Sequence, residues 1–370
     1  MQAVMLVGGQ GTRLRPLTVT TPKPMLPLMN GPFLEYMLNH LKRSGVEEVI
    51  LSTSYLASIF ESHFGDGSGM GIRLIYVTEE HPLDTCGAVK NVERYIKGTF
   101  LVFNGDILTD LNLEHLIEFH RAKKAVATLT LTRVEDPTAY GLVPLDRAGR
   151  VTEFLEKPSW DQVITDLINA GTYVLEPEVL ELVPEGVPHS FERQLFPRLL
   201  GEGKPVYGFP SPSYWLDIGT PEKYLQAHLD ILDRRLSYDF KGEEIKPAVW
   251  VGEGTVIEES AMVFGPTVIG RDCHIAADAN VMGHTVLADG CRIMHGAHIE
   301  GSVLHEGCVI GEDSAVRSSL LSRNVTLGKR CHVADAAVLG EGLIVEDDND
   351  LKRGIKVWPD TVIGSGKVKF

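Results

Sequence analysis

The sequence predicts two domains of different architecture: an α/β domain with a mixed, mainly parallel sheet, followed by a left-handed parallel β-helix of six-residue repeats. Three observations predict this arrangement. Short apolar runs alternate with helical patterns up to residue 236, an aliphatic residue recurs every six positions after residue 248, and 370 residues are too many for one ordinary core. We expect domains at residues 1–236 and 248–370, joined by a linker at 237–247.

The α/β domain is predicted from the alternation of its elements. Apolar runs predict buried strands at residues 3–7, 49–53, 72–78 and 100–103. Amphipathic stretches predict helices at 33–44 and 87–96. Because ligands of such sheets bind beyond the carboxyl ends of the strands, the loops at 8–12 and 104–106 are the expected binding edge.

The β-helix is predicted from its six-residue period. Aliphatic side chains stand at Val251, Ile257, Val263, Ile269, Ile275, Val281, Leu287, Ile293 and Ile299, and the series shifts by one position before it resumes at Leu304. Small side chains follow most of them by four positions, and this position is taken by Cys273, Cys291, Cys308 and Cys331. Three hexads complete one triangular coil of a β-helix, so these cysteines are predicted to pack inside it.

Composition excludes several classes of function. The formal net charge of −15 argues against broad binding to nucleic acid or to an anionic membrane. The N-terminal residues lack the features of a signal peptide, and no apolar stretch reaches the length of a membrane span. Five cysteines without C-x-x-C spacing predict neither a disulfide framework nor a zinc site, which favours a cytoplasmic protein.

A glycine-rich loop directly after the first predicted strand suits an anion. Gly8, Gly9 and Gly11 allow close approach of backbone amides, and Arg13 adds a guanidinium group. The loop lacks the Gly-Lys-Ser/Thr ending of a P-loop and the third glycine of a dinucleotide-binding loop. Lys23, between two prolines, is expected on a rigid, extended segment.

The order of motifs resembles the sugar nucleotide pyrophosphorylases, that is, the sugar-1-phosphate nucleotidyltransferase family. The matching segments are Gly8–Thr18, Pro22-Lys23-Pro24, Asn104-Gly105-Asp106, Glu156-Lys157-Pro158, Asn169-Ala170-Gly171 and Trp215-Leu216-Asp217-Ile218-Gly219. The hexapeptide repeats are similar to those of the long members, and the mannose-1-phosphate guanylyltransferases are the branch most resembled. The resemblance implies a Rossmann-like nucleotidyltransferase domain that joins a nucleoside triphosphate to a sugar 1-phosphate.

The resemblance also implies roles for individual residues. Arg13, Lys23, Asp106 and Asp217 would be catalytic, and the two aspartates, each at the end of a short apolar run, would bind Mg²⁺. The nucleotide would contact Gly8, Gly9, Gly11, Thr12, Glu79, Thr85 and Gly105. The sugar phosphate would contact Glu156, Lys157, Asn169 and Gly171. A sugar phosphate is already anionic, so the reaction requires alignment and charge neutralisation rather than a general base.

The identity of the base is predicted from Glu79. Related enzymes that use uridine or thymidine nucleotides place a glutamine at this spacing, and a carboxylate suits the two adjacent donors of guanine. We therefore expect GTP and mannose 1-phosphate as substrates. One departure is Leu83-Asp84-Thr85-Cys86-Gly87, because the family has glycine where this chain has Asp84.

Three alternatives stay open at this point. The first is a glucose-1-phosphate uridylyl- or thymidylyltransferase. The second is a hexapeptide acyltransferase, suggested by His274, His284, His295, His298 and His305 in the repeats. The third is a non-catalytic regulatory subunit with the same two domains. In each case the exposed faces of the repeats predict a homo-oligomer formed through the β-helix.

Overall fold

The computed structural model describes residues 1–54 and 57–369. Packing divides the chain into two compact units, and each is described by itself. The first unit contains Met1–Gly9 and Leu34–Asp217, and the second contains Gln10–Phe33 and the chain from Ile218 onward. The domain limits at 236 and 248 stay a prediction. No helix in the described ranges is long and apolar enough to cross a bilayer.

The first unit is built on a mixed sheet with helices packed against it. The strands of this unit are β1 (Gln2–Leu6), β2 (Glu48–Thr53), β3 (Arg73–Thr78), β4 (Phe100–Asn104), β5 (Ile107–Thr109), β6 (Ala127–Arg133), β7 (Gly141–Leu142), β8 (Leu155–Glu156), β9 (Leu167–Leu175), β10 (Val206–Pro210) and β11 (Trp215–Asp217). Its helices are α1 (Phe33–Arg43), α2 (Ala57–Phe64), α3 (Asp84–Asn91), α4 (Leu113–Lys123) and α5 (Phe196–Gly201).

Strand order explains where the binding edge lies. Strands β4, β1, β2 and β3 are parallel neighbours, whereas β9 joins the sheet antiparallel to β4. The carboxyl end of β4 and the beginning of β9 therefore meet at one edge. The predicted strands and the first predicted helix are confirmed within one residue at each end. The helix expected at 87–96 is α3, which begins three residues earlier, followed by a 3₁₀ turn at Glu93–Tyr95.

An aromatic cluster anchors this part of the core. The fully buried rings of Tyr173, Phe191 and Phe196 contact one another with centroids 5.2–5.4 Å apart. Burial of such large side chains dominates core energetics, and their offset and edge-on contacts add about 0.5–1.5 kcal/mol per pair. The cluster fixes β9 against the segment that begins at Phe191, which supplies one wall of the site.

The second unit contains a three-sided parallel β-helix, as the six-residue period predicted. One face consists of Glu243–Lys246, Val249–Val251, Thr267–Ile269, Thr285–Leu287, Val303–Leu304, Leu320–Leu321, Val338–Leu339 and Lys356–Val357. The next consists of Val256–Ile257, His274–Ile275, Arg292–Ile293, Val309–Ile310, Thr326–Leu327, Ile344–Val345 and Val362–Ile363. The third consists of Met262–Val263, Asn280–Val281, His298–Glu300, Ala315–Arg317, His332–Val333 and Asp350–Leu351.

The interior of the coils is a continuous aliphatic stack. Ile269 lies opposite Leu287, and Leu287 lies opposite Leu304, so the one-residue shift in the repeat is absorbed within one coil. All five cysteines are free and buried, and the four in the repeats belong to this core as expected. The segment predicted as a linker carries the strand Glu243–Lys246, which pairs antiparallel with Val249–Val251.

The face of the β-helix that includes Thr267–Ile269 has buried side chains on its outer surface, among them Val268, Val286 and Leu320. The unit also contains helix α6 (Pro221–Leu232), whose Tyr224 hydroxyl donates to the carbonyl of Pro27 and lies 3.0 Å from Nε2 of His305. The polar contact therefore joins the helix, the 10–33 segment and a coil of the β-helix.

Candidate active site

The two predicted catalytic aspartates are brought to one edge by strand pairing. Strands β5 and β11 form an antiparallel ladder in which Asp217 lies opposite Ile107, the residue after Asp106. The main chain of β11 is held further by Thr109, whose hydroxyl donates to the Tyr214 carbonyl at 2.8 Å. Two carboxylates from distant parts of the chain are thus neighbours at the end of this ladder.

The turn between β4 and β5 is closely packed around Gly105. Its amide donates to the Leu6 carbonyl at 2.9 Å, and an added Cβ would lie 2.4 Å from that same oxygen. At the facing strand, Gly171 has φ +73°, and an added Cβ would lie 2.7 Å from Nδ2 of Asn104. A side chain at position 105 would displace the backbone of Leu6, and one at position 171 would displace the side chain of Asn104.

A polar cavity of about 170 Å³ opens beside the aspartates. Its lining residues are Asn104, Asp106, Ile107, Ala139, Tyr140, Gly141, Glu156, Asn169, Gly171, Glu192, Trp215 and Asp217. The Trp215 indole donates to the Ala170 carbonyl at 2.9 Å and meets Tyr140 edge to face. Five predicted site residues, Asp106, Glu156, Asn169, Gly171 and Asp217, therefore share one cavity.

Glu156 ends a strand of a short antiparallel pair, and Lys157 follows it directly. Glu156 lies opposite Gly141, where an added Cβ would meet its Oε2 at 2.9 Å. Burial, and after it the charge of Glu192, raise the pKa of Glu156. Lys157 has φ +50° and donates its amide to the Tyr140 carbonyl at 3.0 Å, so its left-handed backbone is held by the residue that precedes β7.

Asn169 belongs to a hydrogen-bond network that the sequence analysis did not identify. Its amide Nδ2 donates to the Tyr173 hydroxyl at 2.7 Å, and this hydroxyl donates to Oε1 of Glu192 at 3.1 Å. Its Oδ1 accepts from the Gly171 amide at 3.1 Å. Glu192 is the main residue that sequence reasoning missed; a charged residue directly after buried Phe191 was the available signal.

Two predicted nucleotide-binding residues form a second cluster in the same unit. Oε1 of Glu79 lies 3.5 Å from the position of a Cβ on Gly8, and Ser54 donates to the Gly8 carbonyl at 2.7 Å. Glu79 accepts from the Ser52 hydroxyl at 3.1 Å and from the Leu83 amide at 3.0 Å. Burial raises the pKa of Glu79, although these two hydrogen bonds oppose the increase.

Asp84 adopts a backbone conformation that is typical of glycine. Its φ is +59°, in the left-handed region that aspartate tolerates better than most residues. The side chain accepts from the Thr85 amide at 2.8 Å and forms an ion pair with Arg193. The hydroxyl of Thr85, a predicted nucleotide contact, donates to Glu192 at 3.1 Å. Thr85 is therefore bonded to a residue that lines the cavity.

The remaining predicted residues of the phosphate loop belong to the second unit. Gly11 has φ +60°, its carbonyl accepts from the Thr18 hydroxyl at 2.7 Å, and Thr12 and Arg13 follow in a 3₁₀ turn. Lys23 begins another 3₁₀ turn, Lys23–Met25, so the expectation of an extended backbone at Lys23 was wrong. Proline favours the first turn of a helix as readily as an extended segment, which explains the difference.

The coil histidines do not converge on one another in the contacts described. His274 pairs with Glu258 at 3.1 Å and His284 with Asp233 at 2.7 Å, whereas His305 is buried. His274, His284, His295 and His298 each have a different acidic neighbour. These are separate contacts rather than one cluster of histidines that would form an acyl-transfer centre.

Comparison with known proteins identifies the family. A nucleotidyl transferase family model matches residues 2–234, and a model of the EIF2B subunit epsilon LbH domain, a left-handed β-helix, matches residues 246–351. Mannose-1-phosphate guanylyltransferase of Mycobacterium tuberculosis is 39% identical over 100% of this chain and 98% of its own. UTP–glucose-1-phosphate uridylyltransferase of Synechocystis is 33% identical over 75% of this chain and 81% of its own.

A solved structure agrees with these relatives. HddC of Yersinia pseudotuberculosis, crystallised with GMP-PN, superposes with a TM-score of 0.53 at 32% identity, and the match covers 61% of this chain and 97% of HddC. The first relative matches this chain from end to end, including the β-helix. The protein therefore belongs to the sugar-1-phosphate nucleotidyltransferase family and is an enzyme of that class.

Proposed function

We propose that the enzyme transfers the guanylyl group of GTP to mannose 1-phosphate. An oxygen of the sugar phosphate attacks the α-phosphorus in line, the bond from that phosphorus to the bridging oxygen of the β-phosphate breaks, and GDP-mannose and pyrophosphate result. The observation that carries the proposal is that Asp106 and Asp217 lie at the end of one strand ladder and line the same polar cavity. Relatives named for this reaction match the whole chain.

Asp106 and Asp217 would hold a Mg²⁺ ion. Magnesium in such enzymes is bound by one or two carboxylates together with substrate phosphates, and the described residues contain no group of three or more acidic, His or Cys side chains that would form a cage. Oδ1 of Asn104 in the same cavity is buried without a hydrogen-bond partner in the described chain. These oxygen donors fit a hard cation, which when bound would neutralise charge on the phosphates.

The other residues would position the substrates. Arg13 and Lys23 would bind phosphate oxygens, and Lys157 would bind the phosphate of the sugar. Glu156 and Asn169 would accept or donate hydrogen bonds to sugar hydroxyls within the cavity. The protein would thereby supply alignment, because the attacking oxygen is already anionic.

Glu79 would select guanine. Guanine presents a ring N–H and an exocyclic amine on one edge, and a carboxylate accepts from both. Uracil and thymine present one donor between two carbonyl oxygens, which a carboxylate repels. Glu79 lies against Gly8 with its own position fixed by Ser52 and Leu83, which supports a preorganised role.

Self-association would use the β-helix. Met262, Phe264, Trp358 and Val362 are large apolar side chains that are about half exposed or more on its coils. Apolar side chains in such numbers on one repeat structure favour burial in an interface. Size-exclusion chromatography with light scattering tests this, and a monomer at micromolar concentration would contradict it.

A matrix of substrates tests the proposed function. GTP, UTP, dTTP and ATP are each combined with the 1-phosphates of mannose, glucose and galactose, and pyrophosphate release is measured. The proposal expects the highest kcat/KM for GTP with mannose 1-phosphate. Preference for UTP or dTTP with glucose 1-phosphate would replace it by the uridylyl- or thymidylyltransferase alternative.

A further inference from the structure

Glu192 is placed at the cavity by an unusual piece of backbone. Residues Phe191–Leu195 form a π-helix, and the Ser190 side chain caps it by accepting from the Arg193 amide. Phe191 and Leu195 are fully buried, whereas Glu192 is half-buried and lines the cavity. Isolated π-turns are rare and often occur at functional sites, because the extra residue redirects one side chain.

Three hydroxyl groups fix the Glu192 carboxylate. Tyr173 donates to Oε1 at 3.1 Å, and Thr85 and Ser190 donate to Oε2 at 3.1 and 2.8 Å. A carboxylate accepts about four hydrogen bonds, so about one acceptor position remains on Oε1. A carboxylate held by three elements of the fold has little rotational freedom left to lose when a ligand binds.

The surroundings of Glu192 define the ligand it suits. It lies in the same cavity as Glu156, close enough for its charge to contribute to the raised pKa of that residue. Both carboxylates can only accept hydrogen bonds when ionised. A wall with two such groups favours a ligand rich in hydroxyl donors and disfavours a sugar with a carboxylate of its own.

We infer that Glu192 accepts a hydrogen bond from one sugar hydroxyl and selects neutral hexose 1-phosphates, an inference that rests on the proposed function. The contact would be charge-assisted and directional, because the carboxylate is already oriented. Glu192 would then discriminate the configuration at one carbon of the sugar. Glu156 and Asn169 would do the same at other carbons. Sugar 1-phosphates that lack this hydroxyl, or that carry a uronic acid, would be poor substrates.

The test pairs a variant with a series of deoxy sugars. In the full-length protein, kcat/KM is measured for Glu192→Gln and wild type with mannose 1-phosphate and its 2-, 3-, 4- and 6-deoxy analogues, at saturating GTP. We expect the variant to lose about tenfold or more with the parent sugar, but less than about threefold with the one analogue that lacks the contacted hydroxyl. The KM for GTP should not change.

Two further variants keep the test decisive. Glu202→Gln alters an exposed glutamate that pairs with Arg198, and it should leave every value unchanged. Ser190→Ala removes one hydroxyl that holds the carboxylate and should give a smaller loss with the same dependence on the analogue. An equal loss with all analogues, or no loss, would overturn the inference. Wild-type inactivity with every nucleotide and sugar would instead refute the proposed function, and the inference with it.

Discussion

Asp217 lies opposite Ile107 in a two-stranded ladder, and this places it beside Asp106, the residue that precedes Ile107. The ladder continues through Leu216 and Trp215, whose indole is fixed to the Ala170 carbonyl. Backbone pairing rather than a flexible loop therefore brings the two carboxylates together. Sites built on paired strands hold their geometry more closely than sites built on loops.

The close approach of Gly171 to Asn104 predicts that a methyl group at position 171 lowers the stability of the protein. Gly171→Ala should destabilise the protein by more than the roughly 1–2 kcal/mol of a left-handed alanine, because its Cβ would lie 2.7 Å from Nδ2 of Asn104. Gly186→Ala is the matched control, since Gly186 has φ +70° with no atom near an added Cβ. Melting curves and the KM for sugar phosphate of both variants test this, and equal behaviour would contradict it.

The role of Glu79 predicts a change in nucleotide preference. Glu79→Gln should narrow the ratio of kcat/KM for GTP over UTP by roughly tenfold, because an amide satisfies the mixed edge of uracil. A glutamine oxygen can still accept from the Leu83 amide, so folding should persist. Glu80→Gln, at the adjacent exposed residue, serves as control. An equal loss with both nucleotides would argue against base recognition.

Asp84 offers a test of backbone strain. Asp84→Ala should be less stable than Asp84→Gly by about 1 kcal/mol, because alanine tolerates φ near +59° poorly and glycine adopts it freely. Both variants lose the contacts with the Thr85 amide and Arg193, so their difference isolates the backbone effect. Thermal unfolding measures it. Equal melting temperatures would show that the left-handed conformation is not required there.

The buried histidines of the second unit predict acid sensitivity. Burial, and after it electrostatic interaction with His228 and Arg323, lowers the pKa of His305 to about 3. Burial lowers the pKa of His228 to about 4. Each histidine contributes stability that is present above about pH 6.5 and is lost as the pH falls toward these folded-state values, by up to about 1.4 kcal/mol per pH unit. The unfolded state binds the proton more readily.

Melting temperatures at about pH 7.5 and about pH 5.5 measure this effect. His305→Gln can keep a hydrogen bond to the Tyr224 hydroxyl but does not titrate. It should lose less stability than wild type over the same interval. The same pH dependence in both proteins would show that unfolding does not change the protonation of His305 over this interval. That result would contradict the linkage.

The extent to which sequence predicts this structure differs between the two units. The β-helix follows from its repeat because each interior position requires an aliphatic side chain, and even the shift before Leu304 is visible. The strands of the first unit follow from apolar runs for the same reason. The antiparallel direction of β9 could not be predicted from the sequence, because the direction of a strand depends on tertiary connections rather than on local pattern.

The site was predictable where motifs carry it and not where tertiary contacts create it. Asp106, Glu156 and Asn169 stand in short motifs, and they do share a cavity. Glu192 has no motif that marks it; it reaches the cavity through a π-turn and through donors as distant in sequence as Thr85. The conformation of Lys23 was mistaken because proline permits both a helical turn and an extended backbone.

Pyrophosphate release by Asp217→Asn, measured with GTP and mannose 1-phosphate over a range of Mg²⁺ concentrations, tests the central claim most directly. The account predicts a loss of at least about a hundredfold in kcat/KM, partly recovered at high Mg²⁺, with an unchanged melting temperature. Asp161→Asn, an exposed aspartate on the Trp160–Gln162 turn, should behave as wild type. Near-normal turnover of Asp217→Asn at ordinary Mg²⁺ would contradict the assignment of this edge as the catalytic centre.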